Sequence, residues 1–241
     1  MLTFPNSRTT TFEGSADTVP ASLADTPVRM AFLRKVYSLF SMAILIFVGT
    51  MAWGATQPAD SWVNLLFARM GFMSFILFMA AIFFLARVTA KRFPLNLIGL
   101  GLFAVLEGLM VSPMVGQVVA TSGPGVVFQA FGLTAVVFGG LTAYVLLTKK
   151  DFSWMRAALW TGFWLMMGIA VLSFFGIGAG FVMGWGYSAA MVLLFAGFMI
   201  YDTSMILHRY PANMAASAAL TIFLDFVIMF IHILRLFSRR D

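Results

Sequence analysis

Asp202 and Asp225 are the residues whose type and setting most demand a chemical reason. The first lies in AGFMIYDTSMIL and the second in ALTIFLDFVIMFIHIL, each surrounded by apolar sequence. A carboxylate inside lipid costs roughly 2.5–3.5 kcal/mol even on lenient insertion scales, so such residues turn inward, pair and are in use. The short polar connection between them, residues 203–215, makes their segments neighbours. Two close carboxylates cannot both ionise freely and titrate as one unit. Such a pair is a pH-sensitive latch. Once its proton is lost it is also an oxygen site for a hard cation, transient Ca²⁺ included. The plainer alternative makes Asp202 an interfacial helix-end residue and Asp225 a satisfied packing residue.

Three further side chains bear on that pair. Glu107, in AVLEGLM, is a third intramembrane acid, suited to a cation or proton path or to a hydrogen bond with a neighbouring helix. Arg87 closes a predicted span on the same side as Asp202; it reads either as a basic flanking residue or as an ion-pair latch. His232 follows Asp225 by two helical turns and shares its face, where a histidine ordinarily makes a bundle hydrogen bond. His208 reads as a loop residue, and the two histidines form no zinc spacing. The glycines at 176, 178 and 180 follow no strand and precede no phosphate-binding lysine, which excludes a nucleotide loop. Without cysteine, disulfides and thiolate metal sites are excluded too.

The elements that must position these groups are membrane helices. Of 241 residues, 61% are hydrophobic and 10% charged, against about 25% charged in soluble domains, and apolar runs approach the ~20 residues that span a bilayer. Residues 1–28 read as a polar, disordered leader and residues 29–241 as the transmembrane domain. The predicted spans are Val36 to Ala55, Met70 to Ala86 (or from Trp62, with Arg69 snorkelling back), Pro94 to Met114, Val126 to Leu147, Ala157 to Phe175, a helix ending at Ile206 that starts either at Phe181 or at Tyr187, and Met214 to Leu236. Gly99, Gly101, Gly108, Gly132, Gly139 and Gly140 read as small residues that let helices approach. Trp53, Trp62, Trp154 and Trp185 fall at predicted interfaces.

Basic residues set the orientation. Arg8, Arg29, Arg34 and Lys35 precede the first span; Arg87, Lys91 and Arg92, then Lys149, Lys150 and Arg156, then Arg209 fall in alternate loops, and the opposite loops carry only Arg69. The amino terminus is thus cytoplasmic, and the net charge of +6 reflects topology rather than nucleic-acid binding. The basic carboxyl end, with Arg235, Arg239 and Arg240, leaves two architectures: an all-α seven-span bundle, or six spans plus a re-entrant segment. Seven spans is the reading adopted.

AGFMIYDTSMIL followed by ALTIFLDFVIMFIHILRLF resembles the signature of the transmembrane Bax-inhibitor-motif family, whose bacterial members are called YccA-like. FLRKVYSLFSMAI, PLNLIGLGLFAVLEGLMVSP and KKDFSWM agree with it, so the resemblance covers nearly all the chain after the leader. It implies a seven-helix bundle with the last helix central, and a pH-sensitive calcium leak. It also implies that Asp202 and Asp225 are the sensing pair, with Arg87 latching the first of them in the closed state. Phe223 stands where the family often has Tyr.

Two functions compete. One is a pH-gated cation leak with calcium as permeant ion, no cofactor, and the bilayer as surroundings. The other is a membrane regulator that binds a membrane-bound quality-control protease, which the resemblance suggests for some bacterial members. The aspartate pair also resembles that of presenilin-like intramembrane proteases. Those place Gly-x-Gly before the second aspartate, whereas Phe223 and Leu224 stand here, so an enzyme is not expected. The resemblance and the cysteine-free chain point to a bacterial inner membrane.

Overall fold

The computed structural model describes residues 26–58, 60–69, 94–182 and 184–238. In order they form α1 (Thr26–Ala55), α2 (Trp62–Arg69), α3 (Leu95–Ser122), α4 (Pro124–Thr148), a 3₁₀ turn (Ser153–Met155), α5 (Arg156–Phe174), α6 (Ala179–Val182), α7 (Trp185–His208), a second 3₁₀ turn (Ala212–Met214) and α8 (Ala215–Phe237). No strand occurs among the described residues. Six of the helical segments are long and apolar enough to cross a membrane, where helices satisfy their own backbone polar groups. The predicted span Met70 to Ala86, Arg87, and the leader up to residue 25 lie outside the described residues.

Helix ends depart from the sequence reading in instructive places. α1 begins at Thr26 rather than Val36, and the expected leader boundary at residues 28–29 therefore falls inside it. α3 runs through Pro113 to Ser122, past the predicted end at Met114. Proline is tolerated in a membrane helix when neighbouring groups satisfy the freed backbone, and the Ser112 hydroxyl donates to the Leu109 carbonyl at 2.7 Å. α3 then stops at Gly123, whose φ of 83° places it where only glycine is unstrained. Pro124 opens α4 at once, in the helix position where its missing N–H costs nothing.

α1 and α3 pack along a seam of small residues. A methyl group added to Gly54 would strike the Ser112 side chain, one on Gly108 the Thr50 hydroxyl and the Phe47 carbonyl, and one on Gly116 would come within 3.1 Å of the Ala55 carbonyl. Rising numbers on one helix meet rising numbers on the other, so the pair runs parallel. Gly101, Gly132, Gly139 and Gly140 meet no described atom within 4 Å of such a methyl and are not seam residues among the described contacts.

Among the described spans α8 is the most enclosed and α5 the least. It touches α1, α3, α4 and α7, which makes the last helix central, as expected. Its 23 residues are one unbroken helix, about 34 Å long at the α-helical rise against a hydrocarbon core of about 30 Å; that is the form of a crossing rather than of a re-entrant loop. Phe223, Phe226 and Phe230 hold it. Phe223 lies 5.8 Å from Phe47 and 6.1 Å from Phe103, Phe226 lies 5.8 Å from Phe40 and 5.6 Å from both Phe131 and Phe138, and Phe230 lies 6.0 Å from Phe131. All are edge-on pairs, each worth about 0.5–1.5 kcal/mol beyond the area it buries. Leu45, Phe128, Leu147 and Leu193 are exposed on the outside of the bundle, where lipid takes the place of water.

Candidate functional site

α7 carries Asp202 about two turns before its end, and α8 carries Asp225 near its middle. α7 starts at Trp185, between the two starts considered from sequence, and the two carboxyl groups are close neighbours across the helix boundary. Asp225 is enclosed, 4% exposed, and its Oδ2 makes no hydrogen bond. Asp202 is half-buried. Asp202 and Asp225 thus lie at one α7–α8 boundary.

The connection between the helices folds over the same place. The Tyr210 hydroxyl lies 3.3 Å from the Thr221 hydroxyl. Burial pushes the Tyr210 phenol above its ordinary range, Thr221 draws it back, and the nearby Asp202 and Asp225 carboxylates raise it again. On the other side of α7, Thr203 lies beside the Tyr37 hydroxyl of α1, which also approaches Thr142 of α4; none of these three buried hydroxyl oxygens completes a hydrogen bond of ordinary geometry. The pair is thus flanked by neutral hydroxyls, not by counter-charges, among the described residues.

Two candidates are not gathered here. Glu107 is enclosed in α3 at 4% exposure, but no described contact joins it to the aspartates. Arg87 lies outside the described residues. His232 shares the face of Asp225, as its spacing requires, and packs against the Tyr187 ring at 5.8 Å; its Nδ1, however, makes no hydrogen bond. Among the described residues no three His, Cys, Asp or Glu side chains converge to hold a metal. Two carboxylates with water completing the shell suit a passing cation better than a resident one.

Sequence reasoning missed a clamp at the end of α7. His208 is the last residue of that helix rather than a loop residue. Its Nδ1 lies 2.9 Å from the Ser204 carbonyl and its Nε2 lies 3.2 Å from the Lys149 carbonyl. The Ser204 hydroxyl accepts from the Phe152 N–H at 2.9 Å and donates to the Lys150 carbonyl at 3.3 Å. Arg209 donates to Asp151 at 3.3 Å and to the Ser153 hydroxyl at 3.1 Å. The loop between α4 and α5 is so fastened to the helix that bears Asp202. The only sequence signal was the shortness of that loop.

Fold and site together define an integral membrane protein of the all-helical, polytopic class with a carboxyl pair between its central helix and a neighbour. The chain belongs to the Bax-inhibitor family: the family model described as "Inhibitor of apoptosis-promoting Bax1" matches residues 29–241. It is 34% identical to "Protein lifeguard 4" of Mus musculus over 88% of this chain and 86% of that one. It is 29% identical to "Bax inhibitor 1" of Schizosaccharomyces pombe, over 91% and 80%. A bacterial relative, "Uncharacterized protein Cj0236c" of Campylobacter jejuni, is 30% identical over 87% and 90%.

Proposed function

We propose that this protein is a pH-sensitive cation leak, with calcium as permeant ion and Asp202 and Asp225 as its sensor. The observation that carries the reading is the contact between the two carboxyl groups inside an otherwise apolar bundle. A pair that shares a proton holds its helices together. As pH rises and that proton leaves, the two carboxylates repel each other while attracting a cation, so flux rises with pH through that range. Arg87 is the proposed latch on Asp202, and Glu107 a further acidic station on the path. No cofactor is needed, because the chemistry is displacement of water from a cation by oxygen ligands. The distribution of Lys and Arg supports a cytoplasmic amino terminus, and bacterial relatives support an inner-membrane location.

The test is calcium flux into proteoliposomes across a pH series, comparing the wild type with Asp202→Asn and Asp225→Asn. Either change removes the shared proton and should flatten the pH dependence. Flux and pH dependence unchanged in both variants would overturn the reading.

A further inference from the structure

The central helix carries a polar stripe that the carboxyl pair does not exhaust. Ser217 Oγ, Asp225 Oδ2 and His232 Nδ1 are buried polar atoms of α8 that make no hydrogen bond. With Thr221 they fall within about 80° of one another around the helix, and from Ser217 to His232 the stripe is about 22 Å long. Phe223, Phe226 and Phe230 occupy the opposite side, against α1, α3 and α4. The stripe faces α7 and the residues that follow it: Tyr187 against His232 at 5.8 Å, Asp202 on Asp225, and Tyr210 at 3.3 Å from Thr221.

Orphaned polar atoms in an apolar interior are unfavourable unless something completes their hydrogen bonds. Three of them, Ser217 Oγ, Asp225 Oδ2 and His232 Nδ1, fall along this one seam. Water is the smallest group that satisfies a carboxylate, a hydroxyl and an imidazole alike, and buried waters sit where several such groups converge.

We infer that the seam between α7 and α8 holds a file of water from Ser217 to His232, and that His232 is the far station of a cation's route beyond the aspartates. The use of the file by a cation rests on the leak proposed above; its hydration does not. Arg235 falls in the same arc just past His232, with its charge near both His232 and Tyr187. A guanidinium at that end opposes fast cation passage, which suits a slow leak rather than an open pore.

Hydration is tested by X-ray radiolytic footprinting of the wild-type protein in micelles, because radicals formed from bound water modify the side chains beside it. His232 and Tyr187 should be modified well above the enclosed Phe223 and Phe230. Modification of His232 no greater than that of Phe230 would overturn the water file. The route is tested by flux. His232→Phe, which plugs the seam with an apolar ring, should cut calcium flux about tenfold, while His232→Gln keeps most of it. Ser217→Leu at the other end should act like His232→Phe and serves as the second variant where the first does not fold. Wild-type rates in both plugged variants would remove His232 from the route. If wild-type protein itself carries no flux, the leak reading fails, and the footprint still decides the water file.

Discussion

Asp202, partly buried at its edge of α7, neighbours Asp225, which α8 holds almost wholly inside the bundle. The two partners are therefore unequal. Asp202→Ala leaves an enclosed carboxyl with neither oxygen bonded, and should cost about 1–3 kcal/mol, the penalty for a buried polar group left unsatisfied. Asp225→Leu replaces the enclosed carboxyl by an apolar group of similar size and leaves the partly buried one, so it should cost less. Thermal melts of both variants in one detergent check the order; a reversed order would mean that the enclosure of Asp225 does not govern the pair.

The clamp at the end of α7 predicts a small, pH-dependent effect. The Ser153 backbone N–H, 2.8 Å away, holds the Asp151 carboxyl below its ordinary range, with the Ser153 hydroxyl and Arg209 adding to it. A depressed carboxyl contributes stability that is fully present above its unfolded value of 3.8 and is lost as pH falls through the folded value. Asp151→Asn should lower the melting temperature slightly at neutral pH, since the group is exposed and screened. The difference from wild type should vanish in acid, where the wild-type carboxyl is protonated too. Melting curves at both pH values test this.

Ser204 matters more to the same clamp than the ion pair does. Ser204→Ala removes the acceptor of the Phe152 N–H and should cost about 0.5–1.5 kcal/mol. Amide exchange at Phe152 should quicken as the loop comes loose. Unchanged exchange there would show that the loop is held by other contacts.

The parallel seam of α1 and α3 has almost no room. Gly108→Ala would press its methyl against the Phe47 carbonyl at 2.7 Å and against the Thr50 hydroxyl, and backbone cannot swing aside. A loss of about 1–3 kcal/mol or more is expected. Gly139→Ala, with no described neighbour within 4 Å, should be neutral or stabilising, because alanine is the better helix former. Melting temperature and monodispersity after purification separate the two.

Phe230 is fully enclosed and edge-on to both Phe47 and Phe131. Phe230→Ala should cost about 3–5 kcal/mol and reduce the yield of folded protein. A change below about 1 kcal/mol would mean that the aromatic contacts around α8 are not what centres it.

The membrane class, the helix order and the neighbourhood of Asp202 and Asp225 were legible in sequence because each follows from local facts: apolar run length, the placement of basic residues, and a short connection. His232 sharing the face of Asp225 follows from helical period alone. Other features needed a partner that no single segment reveals. Gly108 is a seam residue and Gly139 is not, although the two look alike in sequence, because only the first meets Thr50 and Phe47. His208 was misread as a solvated loop residue, since its role depends on a carbonyl at Lys149 contributed by another loop. The early start of α1 was hidden by polar residues that a helix can carry once it leaves the hydrocarbon, and the end of α3 by Pro113, which reads as a stop in water but not in lipid.

The centrality of α8 has a consequence for how the molecule is made. A ribosome releases α1, α3, α4, α5 and α7 before the helix they are to surround, and that late helix bears a carboxyl and an imidazole that lipid receives poorly. The earlier helices must wait around an unfilled axis, with the rings of Phe40, Phe47, Phe103, Phe131 and Phe138 lacking their partners. A polypeptide that stalls before residue 215 therefore lacks the helix on which those rings pack.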